Sequence, residues 1–153
     1  MNLTHLFTLL FFCSLNSFAQ SFEYKVITSI ESIIPGGLGR SRIVENNQEL
    51  NHTDFTTFRV DGKDKKQSQQ VKRKGMKIDN MSETKLLNFY SLAGINFQNI
   101  ASNDALITSV INQNASEGWS LDHVVSGVES DAGKKEDGNG IFITRYIFKR
   151  TIE

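Results

Sequence analysis

The 153-residue chain predicts an α+β domain. The expected architecture is an antiparallel sheet packed on one main helix, a β-α-β-β core, with an inserted β/α segment at residues 36–101. Three observations predict it. Residues 22–34 alternate with period two. Residues 103–118 carry an apolar stripe at helical spacing and end on a glycine. Residues 119–128 and 141–149 alternate again, as the two arms of a hairpin. The length suits one domain.

The first nineteen residues read as an address. Leu6-Phe7-Thr8-Leu9-Leu10-Phe11-Phe12-Cys13 has the length of a secretory apolar region, and Ser17-Phe18-Ala19 places small residues at the −3 and −1 positions of a cleavage site. Only His5 and the amino terminus supply positive charge before that run, a departure from the usual pattern. The run is too short to span a bilayer comfortably. The expectation is export to the periplasm or the extracellular space, with 1–19 removed, 20–153 forming the domain, and no transmembrane segment left after cleavage.

Cys13 is the single cysteine and would leave with that segment. The remaining chain then has no disulfide, no thiol nucleophile and no thiolate metal site, so packing alone must build its core. The chain holds 17 basic and 17 acidic residues, none of them before Gln20. Such a balance exerts no global pull toward nucleic acid or membrane, and no specific nucleic acid is expected as a partner.

In the first strand, Phe22, Tyr24, Val26, Thr28 and Ile30 share one face, and Glu23, Lys25, Ile27, Ser29 and Glu31 share the other. Pro35-Gly36-Gly37-Leu38-Gly39 stops it as a turn. An anion cradle there is disfavoured, because the stretch lacks a phosphate-loop ending and dinucleotide-loop spacing. Residues 42–45 and 55–60 are short strand candidates. Residues 61–77 are rich in lysine, including Lys63, Lys65, Lys66, Lys72, Lys74 and Lys77. The basic loop 63–77 suggests anionic-polymer binding, but no aromatic residue is interleaved for base stacking, and a solvated loop is preferred.

Residues 83–93 read as helix or strand. Leu86, Leu87, Tyr90 and Ala93 keep helical spacing, while Phe and Tyr favour a strand. A short internal similarity favours helix. Leu86-Leu87-Asn88 precedes Gly94-Ile95-Asn96-Phe97 by the spacing that separates Val110-Ile111-Asn112 from Gly118-Trp119-Ser120-Leu121. Ser102 or Asn103 is the expected cap of the main helix, Leu106, Ile107, Val110, Ile111 and Ala115 its stripe, and Gly118 its end. Gly118 and Trp119 form the structural turn.

Straight alternation after that turn puts Trp119, Leu121, His123 and Val125 on one face and Val124 and Val128 on the other. In the last strand Phe142, Tyr146 and Phe148 share a face, opposite Ile141, Ile143, Arg145, Ile147 and Lys149. The face away from the helix is therefore expected to hold Ile27, Val124, Val128, Ile143 and Ile147. A sheet facing only water would alternate more cleanly, so the inserted segment or a second subunit should cover that row.

The segments Tyr24-Lys25-Val26, Ile111-Asn112, Glu117-Gly118-Trp119 and Lys149-Arg150 resemble a family of small bacterial proteins known only as a domain of unknown function. The resemblance covers the two ends of the chain, and the compact members lack the long insert. It implies a β-α-β-β core and a bacterial source, and no catalytic residues.

No metal set, nucleophile elbow or rigid carboxylate pair emerges, and no cofactor is expected. Adjacent Asp122 and His123 on a regular strand point to opposite faces and cannot pair. Two function classes follow. The first is a non-enzymatic binding or assembly module of the cell envelope, its partner another protein or a second copy in a homodimer. Its expected contact residues are Ile27, Val124, Val128, Ile143 and Ile147, with His123 and Arg145. The alternative is a hydrolase or lyase with its site between sheet and insert, using His123, Arg145 and Tyr24.

Overall fold

The computed structural model describes residues 20–32, 40–64, 73–129 and 140–152. The expected leader, the glycine-rich turn at 35–39, residues 65–72 of the basic loop and the hairpin loop at 130–139 lie outside them.

Five strands form one antiparallel sheet: β1 (Ser21–Ser32), β2 (Arg42–Asn46), β5 (Met81–Lys85), β8 (Ser120–Glu129) and β9 (Ile141–Ile152), in the order β5-β2-β1-β9-β8. β1 and β9 run alongside each other from Ser21 opposite Ile152 to Ser32 opposite Ile141. Two small hairpins lie outside this sheet: β3 (Arg59–Val60) with β4 (Lys63–Asp64), and β6 (Tyr90–Ser91) with β7 (Gly94–Ile95). One helix, α1 (Phe97–Ser116), packs on one face. The architecture is α+β with the expected β-α-β-β core.

α1 begins earlier than Ser102. The Asn96 side chain accepts a hydrogen bond from Asn99 N at 3.2 Å and caps it. Asn103, an expected cap, is instead buried within the helix. The far end follows expectation. Gly118 takes φ +86°. Its N–H reaches Ala115 O at 3.1 Å, and Trp119 N–H reaches Asn114 O at 3.0 Å. These two bonds form a Schellman motif, which needs a left-handed residue where glycine costs least.

The core consists of Ile27, Ile43, Leu86 and Phe148, packed by Ile107, Val110, Ile111, Trp119 and Tyr146. Three departures from the expected arrangement matter for function. First, residues 86–93 are not helical: β5 ends at Lys85, and Gly94, at φ +107°, serves the β6–β7 hairpin. The apolar spacing there reflects Leu86 alone plugging the core, while Leu87 and Tyr90 remain exposed. Second, residues 55–60 do not form one strand. A 3-10 turn, His52–Phe55, precedes β3, and Asp61-Gly62 at φ +53° and +70° makes a two-residue hairpin turn.

Third, the described strands of the inserted segment do not lie over the face away from the helix. β2 and β5 extend the sheet beyond β1: β2's backbone satisfies β1's outer edge from Ile27 to Ile30, and β5 pairs in turn with β2.

Candidate functional site: the sheet face opposite the helix

The expected row of five aliphatic residues is divided between the two faces. Ile27 is fully buried against α1, because Lys25, Ile27 and Ser29 form the helix-facing side of β1. Phe22, Tyr24 and Val26 therefore face away from the helix. Val124 and Val128 also lie on the helix side, opposite Tyr146 and Phe142. The cause is a β-bulge between Leu121 and His123. One extra residue inverts the facing of every side chain beyond it. Ile143 and Ile147 lie on the open face as expected.

The bulge also moves His123 and Val125 onto the open face. Three cross-strand rows result: Tyr24, Lys149 and Ser120; Val26, Ile147 and His123; Thr28, Arg145 and Val125. Tyr24 is 60% exposed and Val125 54%, so no described element covers the centre of this face.

Asp122, at the bulge, contacts two side chains of this face, Lys149 and His123. Its Oδ1 receives Lys149 Nζ at 2.5 Å, and its Oδ2 lies 2.7 Å from His123 Nδ1. The expectation that Asp122 and His123 cannot meet holds for a regular strand, and the bulge removes that regularity. The Lys149 hydrogen bond, and then the one to His123, hold the Asp122 carboxyl below its ordinary value. The same Asp122 contact holds the Lys149 ammonium above its own. Lys149 Nζ also lies 5.5 Å from the Phe22 ring centroid, a cation–π distance.

Arg145 is exposed and has no ion-pair partner among the described residues. It borders a shallow hollow of about 410 Å³ with Val125, Gly127 and Ile143.

Trp119 is not an accessible platform. It is half-buried, with Arg150 Cζ 4.5 Å and Lys25 Nζ 5.2 Å from its ring centroid. Lys25 pairs with Glu45 at 3.0 Å, and Arg150 Nε donates to Glu23 at 2.6 Å. This ladder of alternating charges ties the helix-end turn to β1 and β2.

Among the described residues no three His, Cys, Asp or Glu side chains come together as a metal site. No described helix is long and apolar enough to cross a membrane. Comparison with protein-family models, with curated proteins and with solved structures finds no match.

Straight alternation places Ile143, Ile147, Arg145 and Lys149 on this surface; His123, an expected contact residue, it sets on the other face with Trp119, and only the bulge brings it here. It gives no sign of the Asp122 contacts with Lys149 and His123, and by placing Ile27 on the open side it leaves Phe22, Tyr24 and Val26 on the helix side. The alternation of β1 already grouped those three residues. Which group faces the helix depends on the packing of α1.

Proposed function

We propose that the protein is an exported, non-enzymatic binding module whose contact surface is the open face of its sheet. The observation that carries this reading is the Arg145 guanidinium, without an ion-pair partner among the described residues, set among Val125, Ile143 and Ile147 on a sheet face that no described element covers. Its natural partner is a protein surface that presents a carboxylate among apolar side chains. The carboxylate would meet a fork of donors, and the aliphatic and aromatic neighbours would supply buried area. Export rests on the Ser17-Phe18-Ala19 segment. Membership of the small bacterial family rests on the Tyr24-Lys25-Val26, Glu117-Gly118-Trp119 and Lys149-Arg150 segments.

Capture of envelope proteins by the purified protein tests it. A specific partner should be retained by the wild type, lost with Arg145→Glu or Tyr24→Ala, and weakened by salt, while circular dichroism stays unchanged. Capture that ignores both substitutions rejects this face.

The Asp122–His123 pair supports a second reading, a hydrolase or lyase. The carboxylate orients the imidazole through Nδ1 and leaves Nε2 toward solvent, the arrangement of a general base. No described hydroxyl hydrogen-bonds to His123, so the base would have to act on water or directly on substrate. Turnover of an envelope substrate that disappears in His123→Ala would establish that reading in place of the first.

A further inference from the structure

The sheet has two outer edges, and they differ. β5 is five residues long and carries Glu83 and Lys85. Short, charged edges resist pairing with other chains. β8 is ten residues long, and Val124, Val125 and Val128 are 52%, 54% and 58% exposed. The bulge protects only its beginning. From residue 123 to residue 129 the ladder with β9 is regular, and residues 124–128 contain no charge and no proline. No described strand pairs with the outer edge of β8.

We propose that two copies of this chain associate through that edge, with residues 124–128 antiparallel about a two-fold axis at Ser126. A two-fold axis normal to a sheet keeps each side chain on its own face, so the axis must pass through a residue rather than between two. Of the five centres in 124–128, one at Val128 would need pairing beyond Glu129, where the ladder with β9 ends, which leaves four. An axis at Val124 sets Val125 against His123 and Ser126 against the bulged Asp122. An axis at Val125 sets Val124 against Ser126. An axis at Gly127 sets Val128 against Ser126.

An axis at Ser126 sets Val124 against the partner's Val128 twice, and Val125 against the partner's Gly127 twice. A Cβ built on Gly127 would meet nothing within 4 Å. The hollow beside it therefore has room for the partner's Val125. Only this register gives every exposed valine of the edge an apolar or empty place opposite. Cross-strand valine pairs and a shared backbone ladder then replace exposed surface. The product is one ten-stranded sheet with both helices on one side and both open faces on the other. The inference does not depend on what the open face binds.

Light scattering on the purified protein from about 1 to 100 μM, the micromolar regime of modest self-association, tests it. The wild type should show twice the monomer mass. The Val124→Lys/Val128→Lys variant should show the monomer mass with unchanged circular dichroism. Tyr24→Ala, on β1, two strands in from this edge, should keep the dimer. In a Cys13→Ser background, Ser126→Cys should crosslink to itself on mild oxidation, because residues directly opposite lie within reach of a disulfide. Val124→Cys should not. A monomer at every concentration overturns the proposal, as does a dimer that survives the two lysines. Loss of the dimer through Tyr24→Ala, or crosslinking of Val124→Cys instead of Ser126→Cys, overturns it equally.

Discussion

The side-chain amide of Asn103 completes both backbone hydrogen bonds of Leu87: Oδ1 accepts from Leu87 N at 2.8 Å, and Nδ2 donates to Leu87 O at 2.7 Å. The same Nδ2 lies 3.1 Å from Glu31 Oε1. One helical residue thus stands in for a strand neighbour where the chain leaves β5. It fastens α1 to two segments far away in sequence, and its side chain is almost wholly buried. Asn103→Ala would leave the Leu87 backbone groups without these partners. A buried group deprived of its hydrogen bond costs about 1–3 kcal/mol, so a loss of about 2–4 kcal/mol is expected. Urea midpoints measure it. Asp104→Ala, at the exposed neighbouring position, should stay within about 0.5 kcal/mol of the wild type.

The Gly118 turn should be sensitive through its backbone. A Cβ at Gly118 would meet Arg150 Cδ at 3.6 Å, an ordinary contact, so space is not the obstacle. The obstacle is φ +86°. Gly118→Ala should destabilise by about 1–2 kcal/mol, the cost of left-handed backbone for a residue with a side chain. Trp119→Ala should cost about 2–3 kcal/mol. That lies below the 3–5 typical of a fully buried ring, because Trp119 is only half-buried and part of its contact is with Lys25 and Arg150. Chemical denaturation of both variants checks the order.

The bulge pair should mark the acid limb of stability. Asp122 is held below its ordinary value by Lys149 and His123, so its contribution is present above the unfolded pKa and lost as pH falls through the folded one. Lys149 is held above its ordinary value by Asp122, so its contribution is present below the unfolded pKa and lost as pH rises through the folded one. The melting temperature of Asp122→Asn should therefore lie below the wild type at neutral pH. The gap should close below about pH 4, where free carboxylates are protonated, and again on the alkaline side beyond the ordinary lysine range. A gap that persists unchanged at pH 3 would remove the ion pair from the explanation.

The sequence by itself determined the class of fold and its main punctuation. Alternation in β1 and β9 placed both long strands, and Ile107, Val110 and Ile111 marked the inward stripe of α1. Gly118 ended the helix where a left-handed residue is needed. These are local properties: a period, or a backbone angle that only glycine adopts at little cost. Tertiary structure decided the rest. Whether Ile27 or Tyr24 faces the core depends on which side of the sheet the helix lies, and alternation is symmetric between the two. The bulge at Asp122 leaves no periodic trace, yet it turns Val124 and Val128 toward the helix side and brings Asp122, His123 and Lys149 together. The partners of Asn103 are a backbone 16 residues away and Glu31, 72 residues away. A pattern read along the chain cannot register them, because it is their packing in space that brings an asparagine into the core.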